Sequence, residues 1–142
     1  MRDEQLLQQI CPAFADVVNR HTLRIGSSSY DANAFGNAVI DANSERIRLR
    51  ISRDRGDVSV DVGPAHDVSW YALEDVLAFI EERPISLRHR TRIEDLAAAF
   101  DKKYEAVEQM LSDRGRIREL DKRVSEKKAA LIREFFGKSS QH

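Results

Sequence analysis

Three observations predict an α+β fold for this 142-residue chain: an antiparallel meander of three or four strands packed with helices, closed by an αα-hairpin. First, two runs of strict alternation lie between Glu45 and Gly63. Ile47, Leu49 and Ile51 alternate with Arg46, Arg48 and Arg50, and Val58, Val60 and Val62 with Asp57, Ser59 and Asp61. A side-chain period of two is that of a half-buried strand. Second, Asp54-Arg55-Gly56 between the runs is turn chemistry, which joins them as a hairpin. Third, the flanking segments carry apolar residues at three- and four-residue steps, the spacing of an amphipathic helix.

Taken in order, Asp3 to about Arg20 reads as one helix with a stripe of Leu7, Ile10, Phe14, Val17 and Val18, and with Asp3 as its N-cap. Pro12 removes a donor, so the helix either kinks there or restarts at Pro12, and the kink is preferred because the stripe continues in phase. Thr22 to Tyr30 reads as an edge strand or an exposed loop, weakened by Gly26-Ser27-Ser28-Ser29. Asn37 to Ala42 is a short strand built on Val39 and Ile40. In the hairpin an odd-numbered Ile or Leu must face an even-numbered Val, which puts Arg50 opposite Ser59 or Asp61 and Arg48 near Asp61.

After Gly63-Pro64, Ser69 is read as the N-cap of a helix from Trp70 to Arg83, with Val68 and Leu73 as its hydrophobic staple. Leu73, Val76, Leu77 and Ile80 form the buried stripe, and Pro84 stops the helix. Thr91 to Glu94 is a capping box that starts a long helix through Leu111. Ser112 to Gly115 breaks it, and a second helix runs to Gly137. Two helices joined by so short a turn are expected to pack antiparallel. The chain thus reads as one domain, 1–142, with a helix–sheet–helix core over 1–90 and a helical hairpin over 91–137.

The composition excludes several classes of function. Charged residues make up 33% of the chain but nearly cancel, at a formal −1. Balanced charge gives no field to hold a polyanion or an anionic membrane. No stretch approaches the ~18 apolar residues of a membrane span. The start, with acidic residues early and no long apolar run, is not a secretory signal. A single cysteine, Cys11, forms no internal disulfide, and a cytoplasmic protein is expected.

Catalytic patterns are equally absent. His21, His66, His89 and His142 show no metal-ligand spacing with one another or with Cys11. Ser27 to Ser29 lack a nucleophile-elbow context, and no glycine-rich phosphate loop is present. No catalytic residue, metal or cofactor is expected, and the chain reads as a non-enzyme. Two surfaces remain. Arg46, Arg48 and Arg50, with Arg53 and Arg55 at the turn and Arg88, His89, Arg90 and Arg92 further on, could bind nucleic acid. Asp57 and Asp61 are poised to neutralise the strand arginines, however, and base-stacking aromatics are missing nearby. Trp70 and Tyr71, beside the carboxylates of Glu74, Asp75, Glu81 and Glu82, offer either core filling or a partner-binding surface.

The segment from Phe35 to Glu81 resembles a group of small bacterial cytosolic proteins, many of them immunity proteins of polymorphic toxin systems. The resemblance rests on Phe35 to Val39, the alternating Ile47 to Ile51, Arg53 to Gly56, the valines from Val58 to Val62, and Trp70 before the Leu-rich stretch to Leu77. It implies a protein that neutralises a cognate toxin domain by occluding it, with no cofactor. Asp57, Asp61, Trp70, Tyr71, Glu74, Asp75, Glu81 and Glu82 are the expected contact residues. Their negative surface suits a toxin whose active site is basic because it grips phosphates. The alternative is a nucleic-acid-binding accessory protein using the arginine-rich strand and loop.

Overall fold

Five antiparallel strands cross one sheet in chain order: β1 (Arg24–Asp31), β2 (Asn37–Asn43), β3 (Ile47–Asp54), β4 (Asp57–Pro64) and β5 (Tyr71–Ala72). They are seen in a computed structural model that describes residues 2–33, 36–86 and 91–139, the last three by backbone alone. The hairpin register is the one the alternation requires: Leu49 faces Val62, Ile51 faces Val60 and Arg50 faces Asp61. Its loop is the two residues Arg55 and Gly56, with φ of 53° and 87°. Positive φ at both central positions gives a twist that matches the strands it joins. Ile40, Ala42, Ile47, Leu49, Ile51, Val60 and Val62 put one face of the sheet into the core.

Helices cover that face. α1 (Asp3–Ile10) packs on β1 and β2, and α3 (Leu73–Ile80) on β4 and β5. α2 (Pro12–Arg20) meets α4 (Ile93–Lys102), where the rings of Phe14 and Phe100 stack with centroids 6.2 Å apart. One core cluster runs from Leu6 in α1 to Leu120 in α6 (Arg114–Ser139), with Val107, Met110 and Leu111 of α5 (Tyr104–Leu111) inside it.

Several expectations are corrected. Pro12 restarts the helix instead of kinking it: Cys11 is extended at φ −152° and Pro12 is the first residue of α2. A missing N–H costs nothing at that position, so proline opens a helix more easily than it bends one. The apolar stripe stays in phase across the break. Arg2, not Asp3, caps α1, and the Asp3 carboxylate instead accepts the Ser28 hydroxyl at 2.5 Å, tying the helix to the edge strand. Thr22 to Tyr30 proves to be that edge strand, starting at Arg24.

The helix expected from Trp70 begins only at Leu73, with Ala72 as N-cap. Tyr71 and Ala72 pair with Val62 and Asp61 as a fifth strand, and Val68 is 86% exposed, so no staple forms. At its other end α3 stops at Ile80, before the expected Arg83. Glu82 takes φ +57°, and the N–H groups of Glu82 and Arg83 reach back to the carbonyls of Phe79 and Ala78. That is a Schellman cap with glutamate where glycine is usual.

Thr91 does not cap α4; its N–H donates to Glu74 Oε1 at 2.8 Å and Arg92 holds the cap position. The expected helix from Ile93 to Leu111 is interrupted at Lys103. There the His21 ring stacks on Tyr104 at 3.9 Å, and the Asp101 carboxylate holds both His21 Nε2, at 2.7 Å, and Arg20. The end of α2 is thereby clamped to the α4–α5 junction. The last helix runs through Gly137 to Ser139. It packs on the body through Ile117, Leu120 and Val124 and through Lys127, whereas Phe135 and Phe136 are 77% and 63% exposed. Among the described residues no helix is long and apolar enough to cross a membrane.

Candidate functional site: the open face of the sheet

Residues directly paired across strands share a face, so the register alone assembles the surface opposite the core. Ser27, Asp41, Arg50, Asp61 and Ala72 form one row across all five strands. Asn43, Arg48 and Gly63 form the next row toward one end, and Ser29, Val39, Ser52 and Ser59 the next toward the other. Apart from Ala72, Gly63 and Val39 every one of these is polar, and none belongs to the core cluster. The sheet therefore has one face buried under helices and one face open.

Trp70 lies on that open face. Its ring rests against two guanidinium groups, with Arg48 Cζ 4.2 Å and Arg50 Cζ 4.4 Å from the ring centroid. Both arginines are held from below. Arg50 donates twice to Asp41, at 2.7 and 2.9 Å, and faces Asp61 across the ladder. The bond to Asp41 holds the Arg50 proton more firmly than usual, with the charges of Asp41 and Asp61 helping. Arg48 donates to the carbonyls of Pro64 and Ser69, each at 2.8 Å. These bonds fold the segment after β4 back over the sheet and deliver Trp70 to its place. Gly63 makes the return possible, because a Cβ there would lie 2.2 Å from the Ser69 carbonyl oxygen. A shallow groove of about 280 Å³ runs beside the indole, floored by Gly26, Ser27 and Asp41.

The structure divides the expected contact residues into three groups. Asp57, Asp61 and Trp70 share the open face, since Asp57, Ser59 and Asp61 alternate in phase along β4. Tyr71 and Asp75 point into the protein. The Tyr71 hydroxyl donates to Asp121 Oδ1 at 2.5 Å, and burial, then that bond, push its pKa up to about 12. Asp75 is 5% exposed and accepts Lys127 Nζ at 3.0 and 3.2 Å. Neither can present itself to a partner. Glu74, Glu81 and Glu82 sit on and just after α3; Glu74 takes the Thr91 N–H and Glu81 pairs with Arg83 at 2.6 Å. Arg88, His89 and Arg90 lie outside the described residues.

Asp41 was not among the residues singled out, although it makes the strongest polar contact of the open face. Its place in a strand at one-residue alternation from Ile40 and Ala42 is the signal that could have found it. Arg53, read as part of a basic turn, donates twice to the Gly36 carbonyl and braces the β1–β2 connection. Cys11 is buried, and burial pushes its thiol pKa up, against a nucleophilic role. The open face carries matched charges, one aromatic ring and small hydroxyls, the composition of a surface that can exclude water from a partner. Compared with known proteins, the chain matches no family model, no curated protein and no solved structure.

Proposed function

We propose that this protein is a non-enzymatic binding module that docks another protein on the open face of its sheet, with Trp70 as the anchor. Its concrete form is an immunity protein that occludes a cognate toxin domain in the cytoplasm. The observation that carries this reading is the state of the strand arginines. Arg50 is paired with the Asp41 carboxylate, Arg48 spends its donors on two backbone carbonyls, and an indole lies against both, so the N–H groups that would grip a phosphate backbone are already engaged. A flat face of paired charges around one aromatic ring favours a protein partner of defined shape over a polyanion. Asp57 and Asp61 add negative charge on the same face, which steers a partner with a basic active site.

The resemblance over Phe35 to Glu81 points the same way, since its stretches include Arg48, Arg50 and Trp70 of the open face. The test is co-expression with candidate toxin domains from the neighbouring genes, using wild type, Trp70→Ala and Asp57→Lys/Asp61→Lys. Protection should be complete with wild type and lost with both variants while they stay folded. Protection retained by both would move the interface elsewhere, and a wild type that neither binds nor protects would end the immunity reading.

A further inference from the structure

Arg46 leaves the strand arginines and joins a different surface. It stands at the β2–β3 turn and lines a cleft of about 580 Å³ together with Arg114 and Arg118, one turn apart at the start of α6. Arg20, Arg50, Arg83, Arg92 and Arg123 each pair with a carboxylate. Among the described residues Arg46, Arg114 and Arg118 make no side-chain hydrogen bond or ion pair. Three guanidinium groups against two carboxylates, Glu45 and Asp67, leave the lining of the cleft net positive, which favours an anionic ligand. The α6 amides are not available to an anion here, because Asp113 Oδ1 already accepts the N–H groups of Gly115 and Arg116 at 2.9 and 3.3 Å. The guanidinium groups must do the binding.

The rest of the cleft narrows the ligand. Pro64, Ala65, Leu111 and Ile117 give it an apolar wall, with His66 beside them. Glu45 and Asp67 stand at its rim as acceptors, and Asp67 spends one oxygen on the Val68 N–H. The matching molecule has an anionic end for the arginines, a flat, largely apolar body for the wall, and hydroxyl or amino donors for the carboxylates. The volume suits a small molecule, for which sites run from about 300 to 1,000 Å³. A nucleic-acid backbone would gain nothing from the apolar wall and would be repelled by the two carboxylates. We propose that this cleft binds a nucleoside monophosphate, its phosphate held by Arg46, Arg114 and Arg118. The site is separate from the open sheet face, and the proposal does not depend on the partner docked there.

Calorimetric titration of the full chain with AMP, adenosine, inorganic phosphate and a short oligoribonucleotide tests it, with Arg114→Gln/Arg118→Gln as the variant. Both arginines are exposed, so the variant should keep the wild-type circular dichroism and melting curve. AMP should bind saturably, with adenosine and phosphate each at least about tenfold weaker, and the variant should lose about tenfold or more in AMP affinity. The proposal fails if AMP does not saturate at millimolar concentration, or if the folded variant binds it unchanged. Equal affinity for inorganic phosphate would also overturn it, as would an oligoribonucleotide that binds more tightly than AMP through the same arginines. Should the variant not fold, Arg46→Gln provides the same readout from a different element.

Discussion

Removing Lys127 should loosen the last helix from the body by an amount well above the effect of an ordinary surface change. Lys127 Nζ lies 3.0 and 3.2 Å from the two oxygens of Asp75, with the side chains only 10% and 7% exposed. Lys127→Ala leaves a carboxylate shut away from water with its main counter-charge gone, and breaking such a pair from one side costs about 3–5 kcal/mol. Asp75→Ala strands the ammonium instead, but lysine's long stem can swing it toward solvent, so its cost should fall nearer 2–3 kcal/mol. Asp75 also sits in the first turn of α3, where a negative charge stabilises the helix by about 0.3–1 kcal/mol, and this part survives in the cycle as a single-site effect. Urea unfolding of wild type, both single variants and the double variant gives the coupling directly. The double variant should be more stable than the sum of the singles implies, by about 2 kcal/mol or more. Additive effects, or single losses below about 0.5 kcal/mol, would show that the pair is solvated and that α6 is not held there.

Three other outcomes are expected. Leu49→Ala should cost about 2–5 kcal/mol in denaturant unfolding, since Leu49 is fully buried at the middle of the sheet. A loss under 0.5 kcal/mol would place that face outside. Glu82→Gly should stabilise by about 0.5 kcal/mol, the left-handed strain relieved less the added flexibility of the unfolded chain, and a lower melting temperature would contradict the Schellman cap. For Tyr71 the folded pKa, near 12, lies above the ordinary value of 10.0, so the proton is held more tightly in the native state. This contribution is complete below about pH 10 and is lost as pH rises toward 12. Tyr71→Phe should flatten that alkaline fall while lowering stability near neutral pH by about 1.5–3 kcal/mol through the lost bond to Asp121.

The parts of this fold written in local periodicity were legible. Alternation in Ile47 to Ile51 and Val58 to Val62 yields the hairpin, its register and its buried face, because a strand with one face in the core cannot slip by one residue. What escaped was decided by distant partners. Tyr71 and Ala72 are too short a strand to show a period, and a serine ahead of Trp70 mimics a helix cap. Asp75 looked exposed because the helix stripe was judged against solvent, whereas α6 covers the flank of α3 that carries it. The open face was half visible: Asp57 and Asp61 follow from alternation, but the bidentate Asp41–Arg50 pair depends on β2 lying beside β3. The basic cleft was invisible, since Arg46 and Arg114 come to line one cleft only through tertiary packing.

Trp70 is the chain's only tryptophan, so its fluorescence reports on the open face without interference. Titrating the toxin domain that the docking proposal requires, with its own tryptophans replaced by phenylalanine, tests that proposal most directly. A saturable shift in Trp70 emission is expected, with the same midpoint as binding measured by calorimetry, and at least about a hundredfold loss of affinity for Trp70→Ala. Tight binding that leaves the emission of Trp70 unchanged and survives Trp70→Ala would contradict it.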